Sequence, residues 1–288
     1  MSVLDENLVK WLFQTDAVKL SPPNKPFFYT SGTIGPYYVN THFLYGSEEK
    51  ANDLLKVIDS IKGNIFECPG IILEKTLENY ANDDLYRGVI DGMCLYIKDN
   101  IDLDEIDCIS GGERRDWFFS MPAAHILGKP HITIYKDLKA VISENGHLHE
   151  IDNLEGRKIL HIADLITEAS SYERGWIPAI RNRNGRLVWS MVVVDRKQGG
   201  GEFLEKQGIK SFSMVNIDKS LFENAYRFDI INRIQLQMVM KYIENPKESM
   251  RNFLVEHPEF LKTSISGDIK TAERARFCME KDLYDLKS

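Results

Sequence analysis

The run ILHIADLITEASS, Ile159 to Ser171, sets an acidic residue at the end of an apolar stretch and small hydroxyl residues just beyond it. The apolar part reads as a strand, and the turn after Asp164 should open a helix. Asp164 at a strand end can accept hydrogen bonds from sugar hydroxyls. Thr167, Ser170 and Ser171 offer hydroxyls and first-turn N–H groups, which suit an anion. Hydroxyl recognition at one end and anion recognition at the other describes a ribose phosphate. The same small polar residues also serve as ordinary helix caps, so the pattern alone leaves both readings open. Glu168 adds negative charge to this turn, and two like charges a few ångströms apart in a poorly solvated pocket cost on the order of several kcal/mol.

Two more clusters carry chemistry. In GGERRDW, Gly111 to Trp117, Arg114 and Arg115 are permanent cations with forked donors that match phosphate oxygens, unless Glu113 and Asp116 take them as ion-pair partners. In DRKQGG, Asp195 to Gly200, Arg196 can address a carboxylate or carbonyl edge with two parallel hydrogen bonds, or it can pair with Asp195 or Glu202. Each cluster follows a short β-rich run.

Those runs set the frame. DCISGG, HITIYK, KILHIADLI and WSMVVVDR alternate with stretches of helical character, FFSMPAAHIL and SYERGWIPAIRNR, the second interrupted at Pro178. Such alternation predicts an α/β fold with a mostly parallel sheet covered on both faces, and in open parallel sheets ligands bind outside the carboxyl ends of the strands. All three clusters fall there. AVISENGHLHEI, with Asn145-Gly146 at its centre, predicts a hairpin.

Upstream, Leu4 to Leu12 has helical spacing, SPPNKP interrupts it, and FFYTSGTIGPYYVN reads as an aromatic hairpin around a Ser-Gly turn. SEEKANDLLKVIDSI predicts a helix from Ser47 to Ile61 with a Ser cap and two acids in its first turn, and Leu85 to Tyr96 is helical again. Beyond about Val215 only helices are expected, separated by Pro246, Pro258 and Gly267.

A formal net charge of −7 argues against a protein whose main partner is nucleic acid. Cys68, Cys94, Cys108 and Cys278 show no CxxC spacing and read as thiols in a reducing compartment. No stretch reaches the roughly 18 apolar residues of a membrane span, and the N-terminus lacks the basic and apolar regions of a leader; a soluble, cytoplasmic protein is expected. His161 sits inside an apolar strand as a packing residue, and His42, His125 and His131 have no neighbours at metal-ligand spacing.

KILHIADLITEASS resembles the phosphoribosyl-diphosphate signature of type I phosphoribosyltransferases. FFYTSGTIGPYYVN, LGKPHITIYKDLK and VVVDRKQGGGEFLEKQGIKSFSMVNI are similar to segments of the orotate phosphoribosyltransferases, in the order that family has them, over roughly residues 27–217. The resemblance implies a phosphoribosyltransferase-like parallel sheet flanked by helices. The chain then divides into an N-terminal helix and hairpin over 1–45 forming a base-binding hood, an α/β core over 46–217 and a helical extension over 218–288. It further implies transfer of phosphoribosyl from phosphoribosyl diphosphate to orotate or a related base in pyrimidine biosynthesis, with Mg²⁺ brought by the substrate, and a homodimer. Asp164 would hold the ribose hydroxyls and touch the metal, with no protein-only metal site. Thr167, Ser170 and Ser171 would hold the 5′-phosphate, Arg114 and Arg115 the pyrophosphate, Arg196 the base, and Phe27 and Phe28 its faces. Lys136, Lys139 and His147 would assist the leaving group from a flexible loop.

The chain departs from the family pattern where one acid of its pair is Ala163, where Glu168 and Ala169 stand in the phosphate turn, and where Thr30 and Gly35 replace a Lys and a Ser of the hairpin. These departures leave two other readings: a regulatory relative that binds a nucleotide or sugar phosphate, and an enzyme of the same fold with another substrate.

Overall fold

The computed structural model describes residues 3–286. In chain order, α1 (Val3–Gln14) precedes four short strands, β1 (Val18–Leu20), β2 (Phe27–Phe28), β3 (Ile34–Gly35) and β4 (Tyr37–Val39). Helices α2 (Glu48–Ile61), α3 (Cys68–Asn82) and α4 (Asp84–Asn100) lead into β5 (Cys108–Gly112), α5 (Trp117–Ile126) and β6 (His131–Ile134). Then come β7 (Ala140–Glu144), β8 (His147–Glu150), β9 (Lys158–Ile166), α6 (Ile177–Arg181), β10 (Arg186–Asp195), α7 (Gly200–Lys206) and β11 (Lys210–Asn216). The chain closes with α8 (Lys219–Arg227), α9 (Arg233–Glu244), α10 (Pro246–Glu256), α11 (Phe260–Ser264) and α12 (Ile269–Glu280).

Two compact units result. Residues 3–15 and 41–217 form one, and 16–40 with 218–286 form the other. The aromatic hairpin and the C-terminal helices, read from the sequence as separate parts, thus share a unit, while α1 belongs to the sheet-bearing unit. No element is expected from the sequence over 68–82, where α3 forms; its buried face is Cys68, Pro69, Ile72 and Thr76, too weakly apolar to show as a stripe.

The first unit is built on a seven-stranded sheet in the order β11-β10-β9-β5-β6-β7-β8. The first five are parallel and flanked by helices, and β7 and β8 extend the edge antiparallel. Central β9 is buried at seven of its nine positions, as both faces of a parallel strand must be, which is why KILHIADLI shows no alternation. Helix α2 starts where expected, with the Ser47 side chain accepting from Lys50 N–H. Asn145 and Gly146 turn the β7–β8 hairpin with positive φ at both, as a type I′ turn requires.

In the second unit β1 pairs with β4 and β2 with β3, both antiparallel. Its core joins Phe28 and Ile34 of the hairpin to Met250, Phe253, Leu254, Leu261, Ala275 and Tyr284. Ile34 N–H donates to the Tyr284 hydroxyl at 2.8 Å, and the Arg274 guanidinium donates to the Phe28 carbonyl at 2.9 Å. The long apolar stretch after Asp218 breaks between α8 and α9, where Asn232 and Gln235 form a capping box.

Candidate functional site

The loops after β5, β6 and β9 converge on one cleft of about 290 Å³ at the carboxyl ends of the parallel strands. Adjacent strands place these loops side by side, since β5 pairs with both β6 and β9. Asp164, Thr167, Ser170, Ser171, Arg114, Arg115 and Lys136 all line it, along with Glu113, Asp116, Ala163, Glu168 and Trp176. Residues distant in sequence thus face one hollow.

The floor is acidic and nearly dry. Asp116 accepts from Gly112 N–H at 3.0 Å through Oδ2 and from Asp164 N–H at 3.1 Å through Oδ1, so its carboxylate ties the end of β5 to the end of β9. Asp116 and Asp164 are 7% and 9% exposed. Burial, then the charge and hydrogen bond of Asp116, push the Asp164 carboxyl far above the usual carboxylate range, with Arg115 acting in the opposite sense. The Asp116 carboxyl beside it on a buried floor thus disfavours the ionised form of Asp164. Beneath them His161 is fully buried, as expected of a packing residue; its Nδ1 lies 2.9 Å from Ser110 Oγ and its Nε2 3.5 Å from Asp116 Oδ2.

The walls are cationic and hydroxylated. Arg114 is engaged by Asp59. Glu113 pairs with Lys62 at 3.0 Å and accepts from Lys136 N–H at 3.1 Å, so it restrains the β6 loop instead of the arginines. Among the described residues Arg115 makes no ion pair and is exposed to the cleft. Across from it, Thr167 to Ser171 wrap the start of the helical turn that leads through Tyr172–Trp176 into α6, with Ala169 at φ 61° and Pro178 in the first turn of α6, where proline fits. Glu168 is exposed, so water screens the charge that the sequence placed here.

Other expected residues are placed elsewhere. Lys139 is exposed and paired with Asp137 at 2.9 Å, and His147 is exposed at the start of the edge strand β8. From Ala140 onward the chain pairs as a hairpin, so the expected flexible loop shrinks to the turn at Lys136–Lys139, and only Lys136 faces the cleft. Phe28 is buried in the second unit's own core against Phe260, and Phe27 meets Tyr38 edge-on at 5.5 Å. Arg196 follows β10, its N–H donating to Ile166 O at 3.0 Å. Its Nε is buried without a hydrogen-bond partner, while Asp195 is engaged by Lys197.

Asp116, Asp59 and Lys62 are the site residues that the sequence reading did not assign. Their roles depend on contacts across 48, 55 and 51 residues of chain, which no local spacing announces.

His42 stands close to this cationic wall. Burial first, then Arg115 and Arg114, lower its pKa to about 3. The unfolded chain therefore binds a proton at this position between about pH 6.5 and 3 that the folded chain does not. Stability should fall as pH drops through that window, and the difference in melting temperature between pH 7 and pH 5 should shrink in His42→Gln. An unchanged difference in thermal melts would show that His42 adds nothing to acid lability.

No family model matches the sequence. The chain is 26% identical over 238 residues to the orotate phosphoribosyltransferase of Sulfurisphaera tokodaii, an alignment covering 81% of this chain and 91% of that protein. It is 27% identical over 176 residues to an adenine phosphoribosyltransferase of Actinobacillus pleuropneumoniae, covering 55% and 96%. The solved structure of Leishmania donovani UMP synthase superposes with a TM-score of 0.56 at 17% identity, over 83% of this chain and 41% of that longer one. The orotate phosphoribosyltransferase of Francisella tularensis does so with 0.53 at 14% identity, over 81% and 96%. These structural likenesses speak to the fold, and the sequence homology supports a function of phosphoribosyltransferase type.

Proposed function

We propose, from the premise that this chain is an orotate phosphoribosyltransferase-like protein of the type I phosphoribosyltransferase fold, that it transfers the phosphoribosyl group from phosphoribosyl diphosphate to orotate or a related base, releasing pyrophosphate. The observation that carries this is the cleft itself, where Asp164 and the Thr167–Ser171 turn share one hollow with Arg115 and Lys136.

As the pyrophosphate leaves, positive charge builds on the ribose and negative charge on the leaving oxygens, so donors fixed in advance at the leaving group lower the barrier. Arg115 and Lys136 supply that charge, and Arg114, anchored by Asp59, shapes the loop that presents Arg115. The Thr167, Ser170 and Ser171 hydroxyls with the first-turn N–H groups receive the 5′-phosphate. Asp164 accepts from the ribose hydroxyls. Arg196, with a buried Nε that has no hydrogen-bond partner, suits a planar base carrying a carboxylate.

The described residues include no cluster of three or more ligand side chains that could hold a metal ion alone. Two carboxyls at the floor do fit a Mg²⁺ that arrives on substrate phosphates, since that ion keeps most of its shell from water and phosphate and takes one or two carboxylates. Mg²⁺ bound there would offset charge on the leaving pyrophosphate.

The test is to mix the protein with Mg²⁺, phosphoribosyl diphosphate and either orotate or adenine, and to follow base absorbance and pyrophosphate release. Consumption of orotate supports the reading. Release with adenine alone moves the substrate to a purine, and tight binding of phosphoribosyl diphosphate without release identifies a regulatory relative. In an active protein Arg115→Ala should lower kcat/KM by about 10²-fold, the scale of one lost donor at developing charge.

A further inference from the structure

The signature acid that the sequence lacks at Ala163 has a counterpart from another part of the chain. We infer that Asp116, reaching in from the loop after β5, is the second carboxyl of the ribose site and that Asp116 and Asp164 together grip the adjacent hydroxyls of a ribose 5-phosphate. This rests on the phosphoribosyl reading of the cleft.

Three observations carry it. Ala163 brings no acid to the cleft it lines, whereas Asp116 lines the same cleft with a carboxylate directly against Asp164. Its position is fixed by two backbone donors, Gly112 N–H at 3.0 Å and Asp164 N–H at 3.1 Å, and the His161 ring lies 3.5 Å from it. A carboxylate has about four acceptor positions, and the two backbone donors occupy one on each oxygen. Lone pairs remain for a ligand.

The pairing also has a chemical logic. Two carboxyls side by side present several acceptor positions to two neighbouring hydroxyls, each itself a donor. An acid added at position 163 beside Asp116 and Asp164 would put a third carboxyl on this floor. In this chain Asp116 makes the second acid on β9 redundant.

Isothermal titration with ribose 5-phosphate, 2-deoxyribose 5-phosphate and inorganic phosphate tests this. The native protein should bind ribose 5-phosphate at least tenfold more tightly than the deoxy sugar. In Asp116→Asn that preference should fall below about threefold, while inorganic phosphate binds as before. Adding Ala163→Asp to Asp116→Asn should restore the preference, an outcome that a scaffolding role for Asp116 does not produce. Equal binding of both sugars by the native protein, or a preference retained in Asp116→Asn, overturns the inference and leaves the phosphate site standing. Failure of all three anions to bind overturns the phosphoribosyl reading with it. If Asp116→Asn does not fold, Asp116→Glu, which keeps the charge and displaces the carboxylate by one methylene, must lose the preference; retention there is equally fatal.

Discussion

Replacing Asp164 by Ala should reduce kcat/KM for phosphoribosyl transfer by about 10- to 150-fold, because a hydrogen bond from a ligand hydroxyl to a charged group contributes roughly 1.5–3 kcal/mol and each 1.36 kcal/mol is tenfold in rate. The fold should survive the change. Asp116 is held by the backbone N–H of residue 164, which the substitution keeps, and the buried carboxyl being removed is one that burial and Asp116 already disfavour as an anion. Inorganic phosphate should bind to Asp164→Ala at least as well as to the native chain, since a potential negative charge has left the cleft and the Thr167–Ser171 turn is untouched. Steady-state rates with varied phosphoribosyl diphosphate, together with phosphate titrations, check both halves. Unaltered turnover would remove Asp164 from the site; loss of phosphate binding alongside turnover would mark a collapsed loop.

The β9 turn was readable because its parts are consecutive. A strand, its terminal acid and a hydroxyl-rich turn lie within thirteen residues, and backbone geometry alone carries Asp164, Thr167, Ser170 and Ser171 to the same rim. The parallel sheet was readable for a related reason: strands buried on both faces leave continuous apolar runs such as KILHIADLI. What decides the division of labour around the cleft is pairwise and distant. Arg114 and Arg115 are identical in type and adjacent in sequence, yet Asp59 on α2 engages the first while the second makes no ion pair among the described residues. Asp116 looked like an ion-pair partner for those arginines, whereas it turns inward to two backbone N–H groups. His147 and Lys139 matched a loop by residue type, and strand pairing from Ala140 removed the loop. Local patterns specify which elements exist; which neighbour captures a given charge is settled only by the fold.

Gly112 joins these two levels, and Gly112→Ala should show it. The residue ends β5, its N–H holds Asp116, and a Cβ there would overlap the indole atoms of Trp176. Trp176 cannot simply swing away, since it is 7% exposed, packs in the core of the first unit and lies over His161 with ring centroids 6.0 Å apart. Overpacking of this kind costs about 1–3 kcal/mol, which for a unit of this size lowers the melting temperature by roughly 2–12 °C. Trp176→Leu alone should also destabilise, through the cavity it opens. Combined, the two changes should cost less than their sum by about 1 kcal/mol or more, because the smaller side chain admits the new methyl group. Strict additivity in thermal or denaturant unfolding would mean that the indole does not bear on residue 112. Because Trp176 also lines the cleft and Gly112 positions Asp116, Gly112→Ala should weaken ribose 5-phosphate binding more than inorganic phosphate binding, and Trp176→Leu should restore part of that difference.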